Sequence, residues 1–245
     1  MAVVKSLFGW MIGVLIIILI FPFAFVVWLI TLPFDKERKI IHWILIYHAV
    51  ILAKCIPFVK IRVEGRSKVD SKGPYVIIAN HQSTLDILAV NCIRQNFKWV
   101  SKDSNLKVPI LGWYLRMADY IIIVRGDPTS RDKLYAKAND FLQRGISVMM
   151  FPEGTRSVDG NMQMFKRGAF KLAIDNNVPI LPVLLEGTGA VLPKKGFVIK
   201  ETKEIQVKIL DPVYPLDFGT DDHDVLAQKF HDMMAVEYEK LLKRT

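Results

Sequence analysis

Between Lys5 and Asp35 the chain carries no charged side chain. The apolar part, Leu7 to Leu32, is 26 residues long. As a helix it measures about 39 Å at about 1.5 Å per residue, more than the ~30 Å hydrocarbon core of a bilayer. A secretory signal is shorter, roughly 7 to 15 apolar residues closed by a small-residue cleavage site, and no such site follows here. A retained membrane segment is therefore expected. Pro22 inside the run predicts a kink near Ile18 to Pro22, and Pro33 predicts the stop before the turn "DKERK".

A second apolar stretch runs from Ile40 to Val59 but carries His42, His48 and Lys54, residues that favour a wet boundary over a bilayer centre. Two such segments form either two crossings or a hairpin entering one leaflet. The positive-inside tendency favours the hairpin, with the catalytic part on the cytoplasmic face, because two crossings would strand Lys36, Arg38 and Lys39 on the opposite side.

Beyond Val59 the pattern changes to short apolar runs of strand length, "KIRVEG", "YVIIAN", "KWVSK", "YIIIVR", "SVMMFPEG", "PILPVLLEG" and "IQVKIL". Between them lie helical stretches at Leu85 to Gln95, Ile110 to Met117, Thr129 to Arg144, Gly168 to Asn176 and Asp221 to Lys243. This alternation predicts an α/β fold, a mostly parallel or mixed central sheet flanked by helices. The organisation expected is a membrane-associated helical hairpin over residues 1–60 and an α/β catalytic domain over 61–245. Cys55 and Cys92 are the only cysteines, too few for a disulfide framework and without zinc-ligand spacing. The net charge of +9 is spread along the chain. It suits an anionic membrane surface or acidic small molecules, and no basic stripe interleaved with aromatics marks a nucleic-acid partner.

Ligands of open α/β sheets gather where strands end and helices begin, and "ANHQSTLD" occupies such a junction. His81 and Asp86 are five residues apart, which on one regular helix would point them about 140° away from each other. If the strand ends near Ala79 and Ser83 caps a helix whose third residue is Asp86, the bend brings carboxylate and imidazole together. The competing reading is a capping box, in which Asp86 only returns a hydrogen bond to the backbone of Ser83. On these residues alone the two stand level.

A second loop, "FPEGTRS", follows the apolar run "SVMM" and supplies a carboxylate, a flexible backbone, a hydroxyl and a forked cation at Glu153, Gly154, Thr155 and Arg156. A surface turn with an internal Glu/Arg pair is the plainer alternative. Against it, Arg125, Lys166 and Arg167 recur near other strand or helix ends, and several cations so placed suggest a pocket for an anion, with Arg156 gripping a phosphate through two parallel hydrogen bonds.

These blocks resemble the glycerolipid acyltransferases. "NHQSTLD" is similar to their His-x4-Asp signature, "FPEGTRS" to their Glu-Gly-Thr-Arg block, "FKRG" to the Phe-Lys-x-Gly that follows, and "VPILPV" to their Val-Pro-Ile-x-Pro-Val block, in the same order, over Pro74 to Val183. Length and the apolar N-terminal segment look most like the 1-acyl-sn-glycerol-3-phosphate acyltransferases of that family. The resemblance implies transfer of an acyl chain from a thioester of coenzyme A or acyl carrier protein to the sn-2 hydroxyl of lysophosphatidic acid. It implies no metal or other cofactor, His81 as general base and Asp86 as its partner. It further implies acceptor binding by Glu153, Gly154, Thr155 and Arg156, with Lys166 on the block's lysine and Arg125 on the arginine closing the family's second block. That second block departs from the family pattern. It reads "SKDSNLKVP", with Ser104 and Asn105 in place of glutamate and leucine, and Lys102 falls on its basic start. Glycerol 3-phosphate or another lysophospholipid stays open as acceptor.

Two other functions fit parts of the chain. A membrane-bound esterase needs an activated serine, for which only Ser83 and Ser157 are near, without a Gly-x-Ser-x-Gly elbow. A non-catalytic binder of anionic lipid would use the cations and leave His81 and Asp86 as a capped turn.

Overall fold

A computed structural model describes residues 2–56, 59–69, 73–200 and 204–243. Pro57 and Phe58, at the end of the second apolar stretch, lie outside the described residues. Two N-terminal helices, α1 (Ala2–Thr31) and α2 (Lys39–Cys55), precede an alternating series. It comprises β1 (Lys60–Glu64), β2 (Val76–Ala79), α3 (Leu85–Asn91), β3 (Phe97–Lys102), α4 (Leu111–Met117), β4 (Ile121–Ile123), α5 (Pro128–Gln143), β5 (Ser147–Met150), α6 (Gly168–Asp175), β6 (Ile180–Glu186), α7 (Thr188–Val191), β7 (Glu204–Ile209) and α8 (His223–Leu242).

Among the described residues the strands form one sheet in the order β1-β7-β6-β2-β5-β3-β4. The five strands from β6 to β4 run parallel, β7 pairs antiparallel with β6, and β1 runs parallel to β7. The mixed sheet is the predicted class. Every residue of β2, β5 and β6 is buried, which is why these strands read as continuous apolar runs. Side chains still alternate at period two. Ile77, Ala79, Met149, Leu181 and Val183 pack toward α3 and α4, and Val76, Ile78, Val148, Ile180 and Leu184 pack toward α5, α6 and α8. The two longest helices of this part start on aspartates. Asp127 accepts from Thr129 N at 2.9 Å with Pro128 in the first turn, and Asp222 accepts from Asp224 N at 2.8 Å and Val225 N at 3.1 Å, each satisfying orphan donors of a first turn.

The N-terminal helices form the expected hairpin: Gly9 lies against Ile56 and Gly13 against Leu52, so the two run antiparallel. α1 contains Pro22 within one continuous helix and stops at Thr31, two residues before Pro33. It is long and apolar enough to cross a membrane, and only 11% of its most apolar window is buried by protein. Leu7, Met11, Leu15, Leu19, Phe23 and Ile30 are exposed along it. α2 differs. Its histidines, expected at a wet boundary, are buried in protein. His42 meets the Tyr120 hydroxyl at 2.9 Å and the Gln95 carbonyl at 3.0 Å, and His48 packs edge-on to Tyr114. Lys98 of β3, also buried, donates to the carbonyls of Glu37 in the hairpin turn (2.6 Å) and Ala118 after α4 (2.7 Å). Tertiary partners from the segments flanking β3 and α4 therefore satisfy His42, which the segment alone would leave to water, while the buried Nε2 of His48 has no hydrogen-bond partner among the described residues.

Candidate active site

β2 lies between β5 and β6, with Ile78 opposite Met150 and Ala79 opposite Val183. Because the three are parallel, the segments that follow them emerge at one edge of the sheet. The carboxamide of Asn80 ends β2 by donating to Leu185 O and accepting from Leu185 N, both at 2.8 Å. The chain then leaves the sheet and turns into α3.

In that turn His81 Nδ1 lies 2.7 Å from Asp86 Oδ2. The same oxygen accepts from Gln82 N at 2.7 Å and Ser83 N at 2.8 Å. The bonds to the turn backbone and to the imidazole are thus made together, and the two readings of "STLD" do not compete. Asp86 is fully buried, while the His81 side chain keeps 17% of its surface open. An ionised carboxylate only accepts, so Nδ1 carries the proton and Nε2 presents a lone pair. The imidazole face stacks on Phe151, centroids 3.8 Å apart and planes 6° from parallel, and Phe151 in turn packs against Trp99. Edge and face of the ring are both fixed.

The loop after β5 holds the histidine's backbone from both sides. Glu153 Oε1 accepts from His81 N at 2.7 Å, and Ser157 N donates to His81 O at 2.7 Å. Glu153 Oε2 accepts from Gln163 N at 3.2 Å, and its residue is 3% exposed. This carboxylate is a strut between loops, turned to backbone donors.

Burial pushes Glu153 up to about 7, with the His81 and Gln163 N–H groups pulling the other way and the nearby Asp86 charge adding to the rise. Between its ordinary value of 4.5 and about 7 the folded state keeps a proton that the unfolded chain has released. The group therefore favours the fold at low pH, and that contribution is lost as pH rises through about 7. Glu153→Gln should flatten the decline of melting temperature between pH 5 and 7.5 by on the order of 5 °C. An unchanged slope in thermal denaturation would contradict it.

Gly154 has φ +71°, and a Cβ there would lie 2.6 Å from Lys166 Nζ, so the residue needs both left-handed backbone freedom and space. Lys166 lies across Gly154, its own N–H closing the loop on Pro152 O at 2.9 Å. Arg125, exposed after β4, donates to Gly154 O. Thr155 and Arg156 follow, half-buried. Among the described residues Arg125, Arg156 and Lys166 have no carboxylate partner, whereas Arg167 turns to Asp224 at 3.4 Å. Lys102 closes β3, is exposed, and makes no hydrogen bond to the other predicted site residues among those described.

The sequence reading missed Phe151 as the stacking surface, Gln82, whose side chain reaches Gly160 O and the Tyr238 hydroxyl of α8 at 3.0 and 2.7 Å, and Lys194, whose Nζ lies 2.5 Å from Arg156 O. Phe151 opens the quoted stretch "FPEGTRS" and was accessible as the aromatic directly after a strand. Lys194 lies outside every block, and only the fold brings it near.

Residues 60–186 match a family model described as Acyltransferase, a span that holds all the predicted site residues. The chain is similar to the 1-acyl-sn-glycerol-3-phosphate acyltransferase BAT2, chloroplastic, of Brassica napus, with 36% identity over 203 residues, 82% of this chain and 57% of that one. It is 38% identical over 165 residues to a Chlamydomonas reinhardtii 1-acyl-sn-glycerol-3-phosphate acyltransferase, covering 67% and 49% of the two chains. With the mouse 1-acyl-sn-glycerol-3-phosphate acyltransferase alpha it shares 31% identity over 206 residues, 82% of this chain and 70% of that one. The chain thus spans about half the length of the Brassica and Chlamydomonas proteins. Its fold is like that of the crystal structure of the 1-acyl-sn-glycerophosphate (LPA) acyltransferase PlsC from Thermotoga maritima, with a TM-score of 0.81, 24% identity, and 98% and 95% of the two chains covered.

Proposed function

The chain belongs to the acyltransferase family, and we propose that it moves an acyl group from a thioester to the sn-2 hydroxyl of lysophosphatidic acid, giving phosphatidic acid. One observation carries the reading. An imidazole with Nδ1 committed to a buried carboxylate stands on a turn whose peptide is bonded on both sides to a loop that carries Arg156 and is met by Arg125 and Lys166, cations without a carboxylate partner among the described residues. A base and an anion grip are held in one frame.

A hydroxyl is a weak nucleophile at neutral pH, and a positioned base that takes its proton during attack contributes about 10²–10⁴-fold. Nε2 of His81 removes the proton as the acceptor oxygen attacks the thioester carbonyl, and Asp86 stabilises the imidazolium that forms. Collapse breaks the C–S bond, and the imidazolium returns the proton to the departing thiolate. Arg156 takes the acceptor phosphate, Lys166 and Arg125 shape and charge the loop, and Lys102 belongs to the outer rim. Transfer is direct, with no acyl-enzyme. The serine hydroxyls near the site support this, since Ser83 Oγ donates to Leu192 O at 2.6 Å and Ser157 Oγ to Asp159 at 2.9 Å, neither meeting His81. The donor is a thioester of coenzyme A or acyl carrier protein, and no resident cofactor is assigned. We place the hairpin in one leaflet, with α1 toward lipid and the catalytic part on the cytoplasmic side.

The test is product formation by the purified protein against a matrix of acyl-coenzyme A and acyl carrier protein donors with lysophosphatidic acid, glycerol 3-phosphate and lysophosphatidylcholine as acceptors. Phosphatidic acid should be the main product. Silence with lysophosphatidic acid under every donor refutes the proposal.

A further inference from the structure

Lys194 stands outside the matched family span, in the segment between α7 and β7. Its ammonium reaches across 38 positions of sequence to the Arg156 carbonyl at 2.5 Å, and lies 3.5 Å from Thr155 Oγ1, at the limit of hydrogen bonding. The side chain is half-buried, while the adjacent Lys195 is exposed. Among the described residues no carboxylate lies within 4.0 Å of it. A cation partly withdrawn from water without a counter-charge is unfavourable, and a carbonyl offsets only part of that cost. Of the three N–H donors on an ammonium, one is used fully and one weakly, so at least one is open to a ligand at the Thr155–Arg156 segment of the loop.

We infer that Lys194 binds the acceptor headgroup together with Arg156 and selects for a phosphate monoester; this rests on the acyl-transfer reading above. A monoester carries about −1.5 to −2 charges at neutral pH because its second pKa is near 6, whereas the phosphodiester of a zwitterionic lysophospholipid carries one negative charge beside a cation. Arg156 alone neutralises a diester. A second cation facing the phosphate is matched only by the additional charge of a monoester; Arg125 and Lys166 are engaged at Gly154, and Lys194 supplies that charge from the segment between α7 and β7, which the recognised blocks do not include.

Steady-state kinetics in detergent with lysophosphatidic acid test this on wild type, Lys194→Met and Lys194→Arg. Lys194→Met should raise KM for lysophosphatidic acid about tenfold or more, the loss of one charge-assisted hydrogen bond, while Lys194→Arg stays within about threefold. A fall confined to kcat with KM unmoved, or equal damage in both variants, marks a purely structural lysine and overturns the inference. A second measurement needs no variant. Acetylation of the wild-type protein, read by mass spectrometry, should show Lys194 protected by lysophosphatidic acid and Lys195 not. Equal labelling of Lys194 with and without the lipid also overturns it. Wild type that forms no product with any acceptor would instead sink the acyl-transfer reading itself, so the two failures are distinct.

Discussion

His81→Ala should lower acyl transfer by about 10²–10⁴-fold, the full contribution of a general base, with the protein still folded. The fold survives because the anchors of the turn are mostly backbone: the N–H and carbonyl of residue 81 keep their bonds to Glu153 and Ser157, and Asp86 keeps the N–H groups of Gln82 and Ser83. Only the Nδ1 bond and the stack on Phe151 disappear. Circular dichroism should therefore show an unchanged spectrum and a modest drop in melting temperature. Turnover within tenfold of wild type in a folded variant would remove the imidazole from the mechanism.

Asp86→Asn is the second large effect and separates orientation from mere support. The amide keeps an acceptor oxygen for the turn, so the fold should hold, but it carries no charge to stabilise an imidazolium. With the amide oxygen in the place of Oδ2 the turn is kept and only the charge is lost; in the flipped rotamer the NH₂ would donate to Nδ1, move the ring proton to Nε2 and leave the N–H groups of Gln82 and Ser83 without that acceptor. A fall in kcat of about 10²–10⁴-fold is expected, with KM for the acceptor little changed. Asp86→Ala would confuse the question, because it leaves buried N–H groups unsatisfied at about 1–3 kcal/mol each. If Asp86→Asn turned over like wild type, the carboxylate would be a capping residue and nothing more.

Much of the fold was legible because its central strands are short and buried on both faces, and turn-forming residues separate the strands from the helices. Each predicted strand from "KIRVEG" to "IQVKIL" overlaps an observed one, and each predicted helix overlaps an observed helix to within a few residues. The helix predicted to reach Gln95 ends earlier, at Asn91. Its continuation meets Arg94, at φ +60°, outside the right-handed region. The four-residue α7 and the short 3₁₀ turns escaped notice, as one turn is too short to carry a period.

The site was legible to the extent that it is written locally. His81 and Asp86 meet across one bend, and the capping pattern that obscured the pair is part of how the bend is made. Residue type did not reveal the use of Glu153, because a carboxylate that grips substrate and one that braces a backbone have the same letter; burial distinguishes them. His42 and Lys98 were opaque for a related reason. Their partners lie 53 to 78 positions away for the histidine and 20 to 61 for the lysine, beyond the reach of any local pattern.

The double attachment of residue 81, through its amide to Glu153 and its carbonyl to Ser157, makes the His81 turn and the loop after β5 a single mechanical part. A displacement of one carries the other, so the separation between the His81 ring and the loop after β5 is held by one main-chain bond and one bond to the buried Glu153 carboxylate. On the proposed reaction, a change at Lys194, which meets this loop only at Thr155 and Arg156, would leave that separation in place.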